Sequence, residues 1–353
     1  MKRLWIVALA LSLLLSGCAV FSGGSYVNEV PHQILGRPDL NEDMQAQNYE
    51  QLYLSLANMA ESGAKTGVIY IPRYDSGSIE LDMETAVTSL TRDNPIAAYA
   101  VDYIRWEVNV NDGQRNILVH INYNHDRSEI LKIRRASSMQ QAEQMIYAEI
   151  ADGDGGFVLY IENYQETDFV QRVNEYAFYY PNEIMEVPQV SVNVYPQSGS
   201  TRVVELDFRY QTSKDALRSM KNIVRPIFDA AKVYVSGGGE ARQKYEQLYW
   251  FLMNRHTYDI QMTSTPTYSL LCHGVGDSRA FATVYAAMCR ISGLDCQTIS
   301  GTRYGETWYW NVIHFGGAYY HVDLLRDDKT LGFQILTDEQ MLGYTWDATE
   351  NLG

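Results

Sequence analysis

Residues 270–328 read LLCHGVGDSRAFATVYAAMCRISGLDCQTISGTRYGETWYWNVIHFGGAYYHVDLLRDD, and the reading of the fold turns on this stretch. It holds Cys272, Cys289 and Cys296, three of the four cysteines, with His273 directly after Cys272. Three is odd, so at least one of these thiols stays free or pairs between molecules. The stretch is also dense in aromatics: Tyr304, Trp308, Tyr309, Trp310, Tyr319 and Tyr320. Rings with a polar edge suit stacking on sugars and contact with peptides, although strands also use them as core and sheet-face residues. Trp310 and Tyr320 read as core. Tyr304 and Trp308, with Asp277, are assigned to a ligand cleft.

The landmarks follow one another in a set order. Gly274-Val275 precedes Ala280, Ser292-Gly293-Leu294 closes a helix, and Gly301 follows a strand at 296–300. Trp310-Asn311 comes next, Gly316-Gly317 makes a hairpin turn, and Tyr320-His321-Val322-Asp323 forms the last strand. This series resembles the core of the transglutaminase-like superfamily, the papain-related fold of cross-linking enzymes and many bacterial peptidase-like domains. The resemblance implies an α+β domain of the cysteine-protease type over residues 240–350. It also implies a nucleophilic Cys at a helix start, a general-base His just ahead of Trp-Asn, and an orienting acid on the following strand. In this sequence those three positions are Gly276, Trp308 and Asp323. Only the acid is retained.

Thiol acyl transfer needs a thiolate, a base that holds and returns the proton, and an orienting third group. Gly276 offers no side chain, and the indole of Trp308 donates a hydrogen bond but cannot accept a proton. Asp323 is therefore expected to orient nothing, and the domain is read as a pseudoenzyme. An active thiol hydrolase or acyltransferase using a shifted Cys272 is the alternative. Cys272 lies four residues before the expected nucleophile, roughly 13 Å of extended chain. His273 beside it and His321, on the same strand face as Asp323 and able to pair with it, are the fallback bases. The Trp308 ring is expected to fill the volume that Gly276 leaves. Ser278 is expected on a polar helix face, and Asp277 at the positive end of the helix dipole.

Working outward, residues 240–255 read as a helix with Tyr245, Leu248, Tyr249, Leu252 and Met253 on one face. Ser236-Gly237-Gly238-Gly239 before it is the clearest break and reads as a flexible join. It lacks the Lys-Ser/Thr ending and the preceding strand of a phosphate-cradling loop. Residues 44–235 read as an α+β domain, an antiparallel sheet covered by helices. Strands at 104–110 and 116–123 flank a turn at Asn111-Asp112-Gly113, and strands at 190–195 and 202–210 flank Gln197-Ser198-Gly199-Ser200. A helix follows each pair: 138–150, with Ser137 and Gln140 at capping-box spacing, and 214–233, interrupted or bent at Pro226. A strand at 157–162 and a helix at 169–179 lie between them.

At the start of the chain, Lys2 and Arg3 precede the apolar run 4–15, a secretory signal pattern. Leu15-Ser16-Gly17-Cys18 resembles the lipobox of bacterial lipoproteins. That resemblance implies a signal peptide over residues 1–17, lipid on Cys18 and a tether over residues 18–43. The protein is then expected in the cell envelope, outside the cytoplasm, lipid-anchored to a bacterial membrane. With 28 basic against 43 acidic side chains the formal charge is −15, which weighs against nucleic acid. No Cys-x-x-Cys pair or two-His helical motif is present, so neither a metal nor another cofactor is expected. The expected partners are the membrane, through Cys18, and a peptide, cell-wall glycan or protein ligand.

Overall fold

The computed structural model describes residues 44–74, 77–111, 114–235, 237–260, 263–326 and 332–347. The expected signal peptide, Cys18 and the tether lie outside the described residues, as do Asp112 and Gly113 of the first turn and Ser236 of the break. Apolar residues three and four apart make Tyr49–Ser62 (α1) amphipathic. Asn48 caps this helix by accepting from the Gln51 amide at 3.0 Å, and Gly63 ends it at φ 67°. Strand Thr66–Tyr70 (β1) follows, then Ile79–Asp93 (α2) and Pro95–Ala100 (α3), where Asn94 caps ahead of Pro95. Val101–Asn111 (β2) and Gln114–Tyr123 (β3) pair antiparallel as expected, and β3 lies between β1 and β2.

The second hairpin builds a separate sheet. Its elements are Arg134–Ala136 (β4), Met139–Asp152 (α4), Gly156–Ile161 (β5), Phe169–Tyr179 (α5), Gln189–Tyr195 (β6) and Arg202–Arg209 (β7). The strand order is β4-β5-β7-β6, with β4 and β5 parallel and joined through α4. A parallel pair needs such a crossover, whereas a hairpin does not. Three residues are too few for β4 to show an alternation in sequence. The cap of α4 sits one residue later than the expected Ser137–Gln140 pair. Ser138 accepts from the Gln141 amide, while the amide and hydroxyl of Ser137 donate to Gln141 Oε1.

The remaining elements are Lys214–Tyr234 (α6), Ala241–Met253 (α7), Thr257–Tyr258 (β8), Val275–Gly276 (β9), Ser278–Ile291 (α8), Cys296–Arg303 (β10), Glu306–Phe315 (β11), Ala318–Val322 (β12) and Tyr344–Trp346 (β13). The last four strands form an antiparallel sheet in the order β12-β11-β10-β13, and β8 pairs parallel with β9. Helix α8 is buried along most of its length and lies against β10 and β11, with α6 and α7 packed on it. The architecture is α+β, as the sequence implies.

Two details settle or correct an expectation. Helix α6 is not interrupted at Pro226, one of the two expected outcomes there, because Leu217, Val224, Phe228 and Ala231 are buried on both sides of the proline. That burial offsets the missing backbone hydrogen bond. The same four residues share one core with Tyr245 and Leu248 of α7 and Tyr285 of α8. The glycine run therefore links two helices of one core, and residues from Gln45 onward cluster as one unit.

Candidate functional site

The hairpin of β10 and β11 turns at Tyr304-Gly305, with Tyr304 at φ 52°, and sets Gly301 opposite Trp308. On one side of it, β12 places Val322 opposite Asn311, so Asp323 emerges just past the strand end. On the other side, β13 places Tyr344 opposite Arg303. Strand pairing thus gathers Trp308, Asp323, Arg303 and Tyr344 from four stretches of chain.

Asp323 is only 9 % exposed. Its carboxylate accepts from Trp308 Nε1 at 2.9 Å, the Tyr344 hydroxyl at 2.6 Å and the Leu325 amide at 2.9 Å. Arg303 Nη1 stands 3.6 Å away and also donates to the Leu325 carbonyl at 3.0 Å, while Nη2 donates to the Arg326 carbonyl. The guanidinium lies 5.2 Å from the Trp308 ring and 5.6 Å from the Tyr344 ring, within cation–π reach of both. Burial pushes the Asp323 carboxyl above its ordinary pKa, opposed by Tyr344, the Leu325 amide, Trp308 and Arg303. The expectation that Asp323 orients nothing is corrected: it orients the Trp308 indole. A carboxylate accepts from an indole N–H as it would from an imidazole N–H.

Gly276 is buried opposite Tyr258 in the β8–β9 pair. A Cβ placed on it would lie 3.1 Å from both Ala280 Cβ and Leu270 Cδ1. Those two side chains, not the Trp308 ring, stand nearest that space, which corrects the expected filling. Trp308 turns instead between Asp323 and Tyr258, whose ring centre is 5.6 Å from its own. The site is therefore packed at the nucleophile position and hydrogen-bonded at the base position.

The fallback groups do not assemble. Cys272 and His273 are both exposed, and the His273 ring meets Tyr268 edge-on at 5.3 Å. Among the described residues no hydrogen bond joins Cys272 to a histidine, and burial pushes its thiol pKa up. His321 is buried and pairs with Asp338 rather than Asp323. Its Nδ1 accepts from Trp310 Nε1 at 2.9 Å, and its Nε2 lies 2.9 Å from Asp338 Oδ1. Matching strand parity misled here, because Asp323 lies beyond the last residue of β12. Burial pulls the His321 pKa down, opposed by Asp338.

Of the three residues assigned to a cleft, Tyr304 and Trp308 meet around Arg303. Tyr304 is 77 % exposed, its ring centre 5.8 Å from the guanidinium, and its amide donates to the Gly343 carbonyl at 2.7 Å. The ring lies so close to Gly343 that a Cβ there would come within 2.4 Å of Tyr304 Cε1. Asp277 serves otherwise, accepting from the Ala280 amide at 2.8 Å as the cap of α8. Ser278 is buried rather than on a polar face. Trp310 is fully buried, as expected of a core residue, and Tyr320 packs against the core. Cys289 and Cys296 are buried free thiols.

Arg303 and Tyr344 were not singled out in the sequence. Arg303 carries a usable signal, the one charge in CQTISGTR. Tyr344 carries none, because it reaches the site through the β13 pairing alone. Among the described residues no cluster of three or more His, Cys, Asp or Glu could hold a metal, and no helix is long and apolar enough to cross a membrane.

Residues 229–324 match the model of the transglutaminase-like superfamily, and this part of the chain is a transglutaminase-like domain. No curated protein matches the chain. Among solved structures, a TGase shares 9 % identity at a TM-score of 0.28, over 62 % of this chain and 63 % of its own, less than two thirds of that protein. A protein of Cytophaga hutchinsonii described as a candidate cysteine protease shares 12 % identity at 0.27, over 46 % of this chain and 68 % of its own. One of Parabacteroides distasonis described as a candidate protease shares 11 % at 0.25, over 75 % of this chain and 40 % of its own.

Proposed function

We propose that this is an exported, lipid-anchored envelope protein whose transglutaminase-like domain carries out no thiol acyl transfer. The domain instead binds a peptide, cell-wall glycan or protein partner. The observation that carries the reading is the hydrogen bond from Trp308 to Asp323. The acid is engaged by a group that donates and cannot take up a proton, and Gly276 supplies no nucleophile. Losing members of such a unit costs on the order of 10⁴–10⁶ in rate.

A thiol enzyme built on Cys272 is the competing reading. It is disfavoured because, among the described residues, no histidine is hydrogen-bonded to the exposed Cys272 to act as its base, and partial burial of the thiol shifts its pKa up rather than down. The anchor rests on Lys2, Arg3, the apolar run 4–15 and Cys18, since two or three acyl chains hold a protein far more firmly than one.

The test is an assay of the full chain for hydroxamate formation and ammonia release from glutamine peptides, alongside timed iodoacetamide labelling. The expected result is no rate above background and no selective fast alkylation of Cys272. Turnover that disappears in Cys272→Ser overturns the reading in favour of the thiol enzyme. For the anchor, Cys18→Ala is expected to move the protein from the membrane fraction to the soluble one.

A further inference from the structure

Away from the residues around Asp323, α4, α5 and α8 contribute to a surface groove made of two adjoining hollows that share Tyr180 and Asn182. One, of about 280 Å³, is lined by Tyr179, Tyr180, Asn182 and Arg290 among others. The other, of about 570 Å³, adds Gln144, Tyr147, Tyr176 and Glu183.

Four rings run along it without a gap. Tyr147 stacks on Tyr176 at 3.9 Å and 6°, Tyr176 lies 4.6 Å from Tyr180, and Tyr180 lies 4.8 Å from Tyr179. The Arg290 guanidinium covers Tyr179 at 3.9 Å and donates to its carbonyl. Helical spacing aligns Tyr176 with Tyr180, four residues apart at the end of α5. Tyr179 and Tyr180 are 47 % and 39 % exposed, so ring surface faces the solvent. None of the four phenol hydroxyls has a hydrogen-bond partner among the described residues. Asn182 donates to Glu183 Oε1 at 3.2 Å and keeps its amide oxygen free. Of the charges at the groove, Glu183 pairs with Lys221 at 2.7 Å, while the Arg290 guanidinium is held by backbone carbonyls, that of Cys296 at 3.1 Å as well as that of Tyr179.

We propose that this groove binds a neutral glycan strand. Sugar rings offer flat C–H faces that pack on phenol faces, and their hydroxyls match the unpaired phenols and the amides of Asn182 and Gln144. A chain of net charge −15 repels a polyanionic strand. A proline-rich peptide also lies along tyrosine ridges and its carbonyls accept from phenol hydroxyls, but its prolines have no N–H to donate to the phenol oxygens or to the Asn182 amide oxygen, as sugar hydroxyls do. The groove uses no residue of the Asp323 site, so it stands or falls apart from the reading of that site.

The test is titration of the full chain with chitotetraose and cellotetraose, followed by calorimetry and by saturation-transfer NMR on the sugar C–H protons. Saturable binding of at least one tetrasaccharide is expected. Tyr180→Ala weakens it about tenfold, Tyr180→Phe, which keeps the ring, about threefold, and Asn182→Ala gives an independent second lesion. Tyr103→Ala, which removes an exposed tyrosine of β2, leaves binding unchanged. No saturable binding of either sugar overturns the proposal. So does unchanged affinity in both Tyr180→Ala and Asn182→Ala, or tighter binding of a proline octapeptide than of both sugars.

Discussion

Around Asp323, the indole of Trp308, the hydroxyl of Tyr344 and the amide of Leu325 all point at one carboxylate, and Arg303 closes the cluster against two backbone carbonyls. Along Tyr147, Tyr176, Tyr180 and Tyr179 the rings touch one another just as closely, yet their hydroxyls meet no partner in the described chain. Burial separates the two. A polar group removed from water must be satisfied internally or it costs stability, and the donors around Asp323 are turned onto its carboxylate. A polar group at the surface is satisfied by water and stays available to a ligand.

The largest effect that would break this comparison is Asp323→Ala. It leaves the Trp308 N–H, the Tyr344 hydroxyl and the Arg303 guanidinium short of their acceptor, and about 3–5 kcal/mol of unfolding free energy should be lost in urea denaturation. A loss under about 1 kcal/mol would mean that the cluster is not structural. Next comes Gly276→Cys, whose Cβ meets Leu270 and Ala280 at 3.1 Å. We expect a cost of about 1–3 kcal/mol from overpacking, with no acyl transfer gained. Trp308→Phe keeps the ring but removes one of the donors to Asp323, for about 1 kcal/mol.

Acid titration sharpens the contrast within the buried set. Burial lowers the pKa of His321 from its ordinary 6.5, so the unfolded chain binds more protons between the two values. Its stabilising contribution is complete above 6.5 and falls as pH drops through the folded value. Asp323 runs the other way. Raised from 3.8, its contribution is complete below that value and is lost as pH rises through the folded one. Unfolding free energies of wild type and His321→Gln, measured from pH 5 to 7.5, should converge on acidification if wild type starts the more stable. A constant gap would remove the neutral, Trp310-bonded imidazole from the account. The smallest effect is on the open side: Tyr180→Ala should change stability by no more than about 0.5 kcal/mol, read from the thermal midpoint.

Much of the fold was legible along the chain. The helix at Phe169–Tyr179 and the hairpin of β6 and β7 fall within a residue of where periodicity put them, because both are patterns of neighbours. The short strands β4 and β13 were not legible, since three residues hold no period and their partners lie far away in sequence. Position by position, the site was half legible. Trp308 and Asp323 were marked by the landmarks around them, whereas the link between them was missed because the indole, weighed as a failed base, a space filler and a cleft ring, was not paired as a donor with the acid. The aromatic wall of the groove was missed for a similar reason: Tyr147 and Tyr176 sit on different helices, and their stacking is a tertiary fact.

What the chain alone determined is chemical identity: no side chain at Gly276 and no proton acceptor at Trp308, consequences of covalent structure that no folding can undo. Only the tertiary structure decided where the remaining groups turned. It assigned Asp323 to Trp308 and His321 to Asp338, closed the space at Gly276 with Leu270 and Ala280, and left four tyrosine hydroxyls unmatched at the surface. Hydrogen bonds and close packing join residues by distance in space, and distance in space is set by the whole fold.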